Sequence, residues 1–233
     1  MGNFCEAPQV QFSSGPLLIS EYLYKPLIIS IFQGDISEED SDALVLSNTP
    51  NLSANFPSTR SILNRAGSKI QAETLDLLTS LNEFDYGTAL YTTAGELEAG
   101  YLIHVITPEW GSDEAQGKFE ESIRNCLKLA EKLKLNSLSF PILGTLNNSF
   151  PREVSCELIL KGIRKFCDDT LGETRELKNI RVISSENPTV RLMKNIGDRM
   201  FLMGEKNHNF QKTEVKSYQS LSLSTIEKNE RKF

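Results

Sequence analysis

"DALVLSNTPNLSANFPSTRSILNRAG", residues 42–67, holds the change of pattern on which the fold turns. Residues 42–47 are a short apolar run closed by turn formers, the mark of a buried strand. Beyond the loop at 48–57 the period changes. Ile62, Leu63, Ala66, Ile70, Leu75 and Leu78 recur at helical spacing over 58–81, and Gly67 divides that run into two helical pieces.

The same alternation extends outward in both directions. Upstream, "PLIISIFQ" (26–33) reads as a strand, and "PLLISEYLY" (16–24), which alternates poorly, reads as an edge strand. Downstream, "TALYTT" and "YLIHVI" are two strands joined by "AGELEAG". A helix follows over 113–134, where Phe119, Ile123, Cys126, Leu127 and Ala130 form one stripe. "SLSFP" is the next strand, 151–169 a helix, "IRVIS" (180–184) a last strand and 188–198 a short helix. Strands alternating with covering helices predict an α/β fold, a three-layer α/β/α sandwich with a mixed, largely parallel central sheet. The organisation expected is an amino-terminal extension with its edge strand (1–26), one domain (27–204) and a disordered polar tail (205–233). In that tail Leu221, Leu223 and Ile226 are at most a weak docking element.

Composition narrows the function classes. The chain has 233 residues and a formal charge of −6; the segment from Glu205 carries a small positive surplus, so the body is more acidic than the whole. An acidic body repels a phosphate backbone, which argues against nucleic acid as a partner. Four cysteines (Cys5, Cys126, Cys156, Cys167) and two histidines (His104, His208) show no metal-ligand spacing, so neither a metal nor another cofactor is expected, and the thiols read as buried and free. No apolar run approaches a membrane span or a secretory signal, and a cytoplasmic or nuclear setting follows. Gly2 and Cys5 in "MGNFCE" would together carry two acyl chains and make the protein a peripheral membrane one, although Glu6 stands where Ser or Thr is usual.

In open α/β sheets the ligand crevice lies beyond the carboxyl ends of the strands, so the loops "QGDIS" (33–37), "NTPNLSANFP" (48–57) and "GTLNNSF" (144–150) are the places to look for chemistry. His104 sits among apolar neighbours in "YLIHVI" and reads as a satisfied core histidine, and Trp110 in "TPEWG" as a cap on the sheet end. No nucleophile elbow, dinucleotide fingerprint or P-loop is present.

The succession "QGDI", "DALVLSNTPNLSANFPSTRSILNRAG", "YGTALYTTAGEL", "YLIHVITPEW", "SLSFPILGTLNNSFP" resembles the macro domain, the ADP-ribose-binding module, over about residues 27 to 200. The resemblance implies that Asp35 accepts a hydrogen bond from the adenine amino group and that Ile36 offers its N–H to the same ring. It implies that the loop through Gly144, Thr145, Leu146, Asn147, Asn148 and Phe150 stands where the family wraps the diphosphate. The chain also departs from the pattern. Leu46 replaces an Asn that bonds the distal ribose, "ANFP" replaces a glycine run, Thr59 replaces the acid that orients water, and Leu146 and Ser149 replace two loop glycines. Phe56 adds bulk and Pro57 removes a donor. Asn48 is the polar side chain nearest the family's Asn positions and is kept as a candidate ligand contact, although a one-residue shift in a strand turns a side chain to the other face. These changes point to a non-catalytic module for ADP-ribose or another adenine nucleotide. The alternatives are an ADP-ribosyl hydrolase or O-acetyl-ADP-ribose deacetylase with rearranged groups, and a protein–protein adaptor whose cleft is plugged by Phe56, Leu146 and Phe150.

Overall fold

In the computed structural model residues 15–52, 57–80, 83–145, 148–169 and 175–203 are described. Gly2, Cys5, Phe56, Leu146, Asn147 and the tail from Glu205 lie outside the described residues.

The strands are β1 (Leu17–Tyr24), β2 (Leu27–Gln33), β3 (Ala43–Asn48), β4 (Ala89–Thr93), β5 (Tyr101–Ile106), β6 (Ser137–Pro141) and β7 (Asn179–Ser184). They form one sheet in the order β1-β2-β7-β6-β3-β5-β4. The inner strands β2, β7, β6, β3 and β5 run parallel, and β1 and β4 close the two edges antiparallel. Helices α1 (Pro57–Ala66), α2 (Lys69–Ser80), α3 (Ala115–Lys132), α4 (Arg152–Asp169) and α5 (Asn187–Gly197) complete the alternation, with a 3-10 turn at Ile36–Glu38 and a π-helical turn at Asp198–Met203. The expected α/β sandwich is the observed one.

β3 shows why the layers form. Every residue of it is buried, and the two-residue period of a strand sends Ala43 and Val45 into one core and Leu44 and Leu46 into the other. The larger core joins that face to Phe119, Ile123 and Leu127 of α3, Ile159 and Ile163 of α4, and Val190 and Met193 of α5. The smaller one joins the opposite face to Ile62 and Ala66 of α1 and Ile70 of α2. Gly67 separates those two helices at φ +81°, the left-handed conformation that a glycine adopts without strain after a helix end.

β1 belongs to this sheet. It pairs with β2 along its length, and Tyr22 and Tyr24 enter the larger core, where both rings pack on Phe201. β1 is the edge strand expected over residues 16–24.

A buried polar cluster fixes the segment between β2 and β3. Glu39, 5% exposed, accepts from Arg181 Nη1 at 2.9 Å, Ser139 Oγ at 2.9 Å and Ser41 Oγ at 3.1 Å. Arg181 also bonds Asp40 Oδ1 at 2.6 Å. A buried carboxylate held by three donors ties the 3-10 turn to β6 and β7, and so sets where Asp35, at the start of that turn, can stand.

Candidate functional site

A cavity of about 700 Å³ opens at the carboxyl ends of β2, β6 and β7. That volume lies within the range of small-molecule sites. One wall is Gly34, Asp35 and Ile36 leaving β2, with Ser61 of α1 beside them; the floor is Pro141, Ile142 and Thr145 beyond β6. The opposite wall is Ile183, Ser184, Ser185 and Glu186 leaving β7, with Thr189 of α5 and Arg152 and Glu153 at the start of α4.

Asp35 caps the 3-10 turn. Its Oδ1 accepts the Ser37 N–H at 2.9 Å, and its Oδ2 accepts from Ser61 Oγ at 2.9 Å. Partial burial pushes the carboxyl pKa up, but the Ser37 and Ser61 bonds, with Arg65 nearby, outweigh it and hold the group below its ordinary value. Asp35 is thus an anionic acceptor at neutral pH, fixed in orientation and exposed at the rim. Ile36 buries its side chain in the smaller core just behind it.

On the far wall Arg152 Nη2 meets Glu186 Oε2 at 2.9 Å, and the same oxygen accepts from Thr189 Oγ1 at 2.8 Å. Glu186 stands at the amino end of α5 and Arg152 at the amino end of α4, so the pair joins two helix starts along this wall. Among the described lining residues the ionisable groups are Asp35, Glu153 and Glu186 against Arg152.

Four of the residues expected from the sequence do not line this cavity. Asn48 is 3% exposed, and its Nδ2 lies 3.1 Å from His104 Nδ1; in β3 it shares the face of Leu46, which is turned into the smaller core. Asn148 is 4% exposed and donates from Nδ2 to the carbonyls of Thr107 and Pro108 at 2.8 and 2.7 Å. Phe150 lies beneath the loop, between Trp110 at 5.1 Å and Phe119 at 4.7 Å. Gly144 takes φ +75° directly over that stack, where an added Cβ would come within 2.7 Å of the Phe119 ring. These residues shape the loop from below, and Thr145 is the one among its described members that reaches the cavity. Thr59, at the family's acidic position, is buried and donates to the Ser47 carbonyl at 3.2 Å.

His104 is 2% exposed, with Thr92 Oγ1 at 2.9 Å from Nε2 and Asn48 Nδ2 at Nδ1. Burial pulls its pKa down to about 4. Cys126, Cys156 and Cys167 are free and buried.

Sequence reasoning missed the wall from Ile183 to Thr189. The segment "SSENPT" carries neither glycine nor a family motif, but it leaves a strand and runs into a helix whose second residue is Pro188. By the rule that crevices lie past strand ends it qualified as readily as the three loops chosen.

The geometry defines an α/β sandwich with a nucleotide-sized crevice at a parallel sheet's carboxyl edge. The Macro domain family matches residues 59–159. An uncharacterized protein of Sulfurisphaera tokodaii is 34% identical over 139 residues, 60% of this chain and 76% of that protein. Human protein mono-ADP-ribosyltransferase PARP14 is 38% identical over 142 residues, 56% of this chain but 8% of PARP14. Among solved structures the Oceanobacillus iheyensis macrodomain with ADP aligns with a TM-score of 0.73 at 20% identity, over 79% of this chain and 96% of that one; a variant of it was solved with ADPR. The chain belongs to the macro domain family.

Proposed function

We propose that this chain is a non-catalytic binding module for ADP-ribose or a closely related adenine nucleotide. The observation that carries the reading is the cavity beside Asp35: about 700 Å³, at the carboxyl edge of the sheet, with an oriented anionic acceptor at one rim and a guanidinium at the other. The carboxylate suits the adenine amino group. The starts of α4 and α5, together with Arg152, suit phosphate oxygens. The relative solved with ADP and ADPR supports the same ligand class.

What occupies the family's reactive positions supports the non-catalytic reading. Leu46 is apolar and 1% exposed, and Thr59 offers a hydroxyl already given to a backbone carbonyl. Neither can act as the acid–base group or ribose anchor of a hydrolase.

Calorimetric titration with ADP-ribose tests the reading, and binding in the micromolar range is expected. Asp35→Ala should weaken it by about 1–3 kcal/mol through loss of a charge-assisted hydrogen bond. Affinity unchanged by that substitution would put the ligand elsewhere. A mono-ADP-ribosylated protein substrate should be left intact, and its release would contradict the non-catalytic assignment.

A further inference from the structure

We infer that Glu186 holds Arg152 in the place that a ligand phosphate would take, so that the protein carries its own competitor for Arg152. The inference rests on the proposed adenine-nucleotide reading and says how that site is regulated.

Arg152 is the cationic side chain among the described cavity-lining residues, and it is already engaged: Nη2 lies 2.9 Å from Glu186 Oε2. The pair is not an incidental surface contact between two free side chains. Thr189, 2% exposed, donates to the same Glu186 oxygen at 2.8 Å, and the Glu186 N–H lies 3.2 Å from Ser184 Oγ. Backbone and carboxylate are thus both held from within the cavity wall, which aims the carboxylate at Arg152. A guanidinium recognises carboxylate and phosphate oxygens with the same fork of donors, so the two anions compete for one partner.

The charge distribution gives the competition its sign. With Asp35, Glu153 and Glu186 facing one arginine, the lining repels an anionic ligand as it stands. A phosphate that displaces Glu186 must also leave a carboxylate nearby without its ion-pair partner. Most acidic groups in a site either bind the ligand or are neutral to it. Glu186 should oppose it, and opposition should be felt chiefly by phosphates, since adenosine brings no anionic group to compete for Arg152.

The test uses the full chain with ADP and with adenosine as probes, in calorimetry at low and at physiological salt. Both side chains are about half exposed, 45% for Arg152 and 55% for Glu186, so the folds of the variants should be intact, which circular dichroism checks. Glu186→Gln should tighten ADP by about 3- to 10-fold and leave adenosine unchanged, with the gain shrinking as salt rises. Arg152→Gln should weaken ADP by a similar factor, and in the double variant the gain from removing Glu186 should shrink to the part that relief of charge repulsion alone supplies. Thr189→Val, which frees the carboxylate without deleting it, should give a smaller gain in the same direction. ADP affinity that is unchanged or weaker in Glu186→Gln, while ADP and adenosine both bind, would overturn the competition and leave the nucleotide reading standing. Failure of every adenine compound to bind any variant would overturn both.

Discussion

Between pH 6.5 and pH 4 the protein should lose on the order of 3 kcal/mol of unfolding free energy through His104 alone. Its ring is buried, and the hydrogen bonds demand the neutral form: the Asn48 amide can only donate to Nδ1, which leaves Nε2–H to donate to Thr92 Oγ1. A second proton on Nδ1 would face the Asn48 donor. The folded pKa is therefore about 4 against an ordinary 6.5. Because the folded value is the lower one, the unfolded chain takes up the proton first. The contribution is complete above pH 6.5, erodes through the window down to about 4 and levels off below it. Asp35, Glu73 and Asp168 also have lowered values, but their ordinary pKa values are near 4, so their erosion lies lower on the scale. Urea unfolding at pH 7, 6 and 5, compared with His104→Gln, measures this. The wild type should show a slope approaching one proton that the variant lacks; equal slopes in the two proteins would contradict the assignment.

Phe119→Ala should cost about 3–5 kcal/mol, the range for deleting a fully buried aromatic side chain. Phe119 is 0% exposed near the amino end of the α3 stripe and packs against Phe150, which in turn meets Trp110. The same ring is the support over which Gly144 turns, so the cavity left behind lies under the segment that presents Thr145 to the site. Two losses are expected together: a fall in Tm of more than about 6 °C by calorimetry, and weaker ADP-ribose binding at a temperature where the variant is still folded. A Tm within about 2 °C of wild type would show that the aromatic stack carries little of the stability.

The fold was legible because its signals are local. Residues 42–47 are closed by turn formers, Ile62, Ala66 and Ile70 repeat at helical spacing, and Gly67 interrupts them; the observed elements begin and end within about two residues of those marks. The site was legible only in part. Asp35, Ile36 and Thr145 were placed at the cavity by motif position, and they line it. Asn48 was expected as a ligand group because it is the polar side chain nearest the family's Asn positions, and Asn148 because it falls in the loop that the family wraps around the diphosphate. Their amides instead satisfy His104 and two backbone carbonyls, partners that lie 40 or more residues away in the chain and that no local pattern reveals. Arg152 and Glu186 failed to stand out for the opposite reason. Charged residues at helix starts usually belong to a solvated face, and only the packing of α4 beside α5 brings this pair together on a cavity wall. Ser61 is one more small polar residue on a helix until the 3-10 turn carries Asp35 to it.

The most direct measurement of the whole account is a crystal structure of the chain grown with ADP-ribose. The expected result is an intact ligand in the crevice between Asp35 and Arg152, with the adenine amino group within hydrogen-bond reach of the Asp35 carboxylate. An empty crevice at saturating ligand, or ADP-ribose bound elsewhere on the chain, would contradict the site.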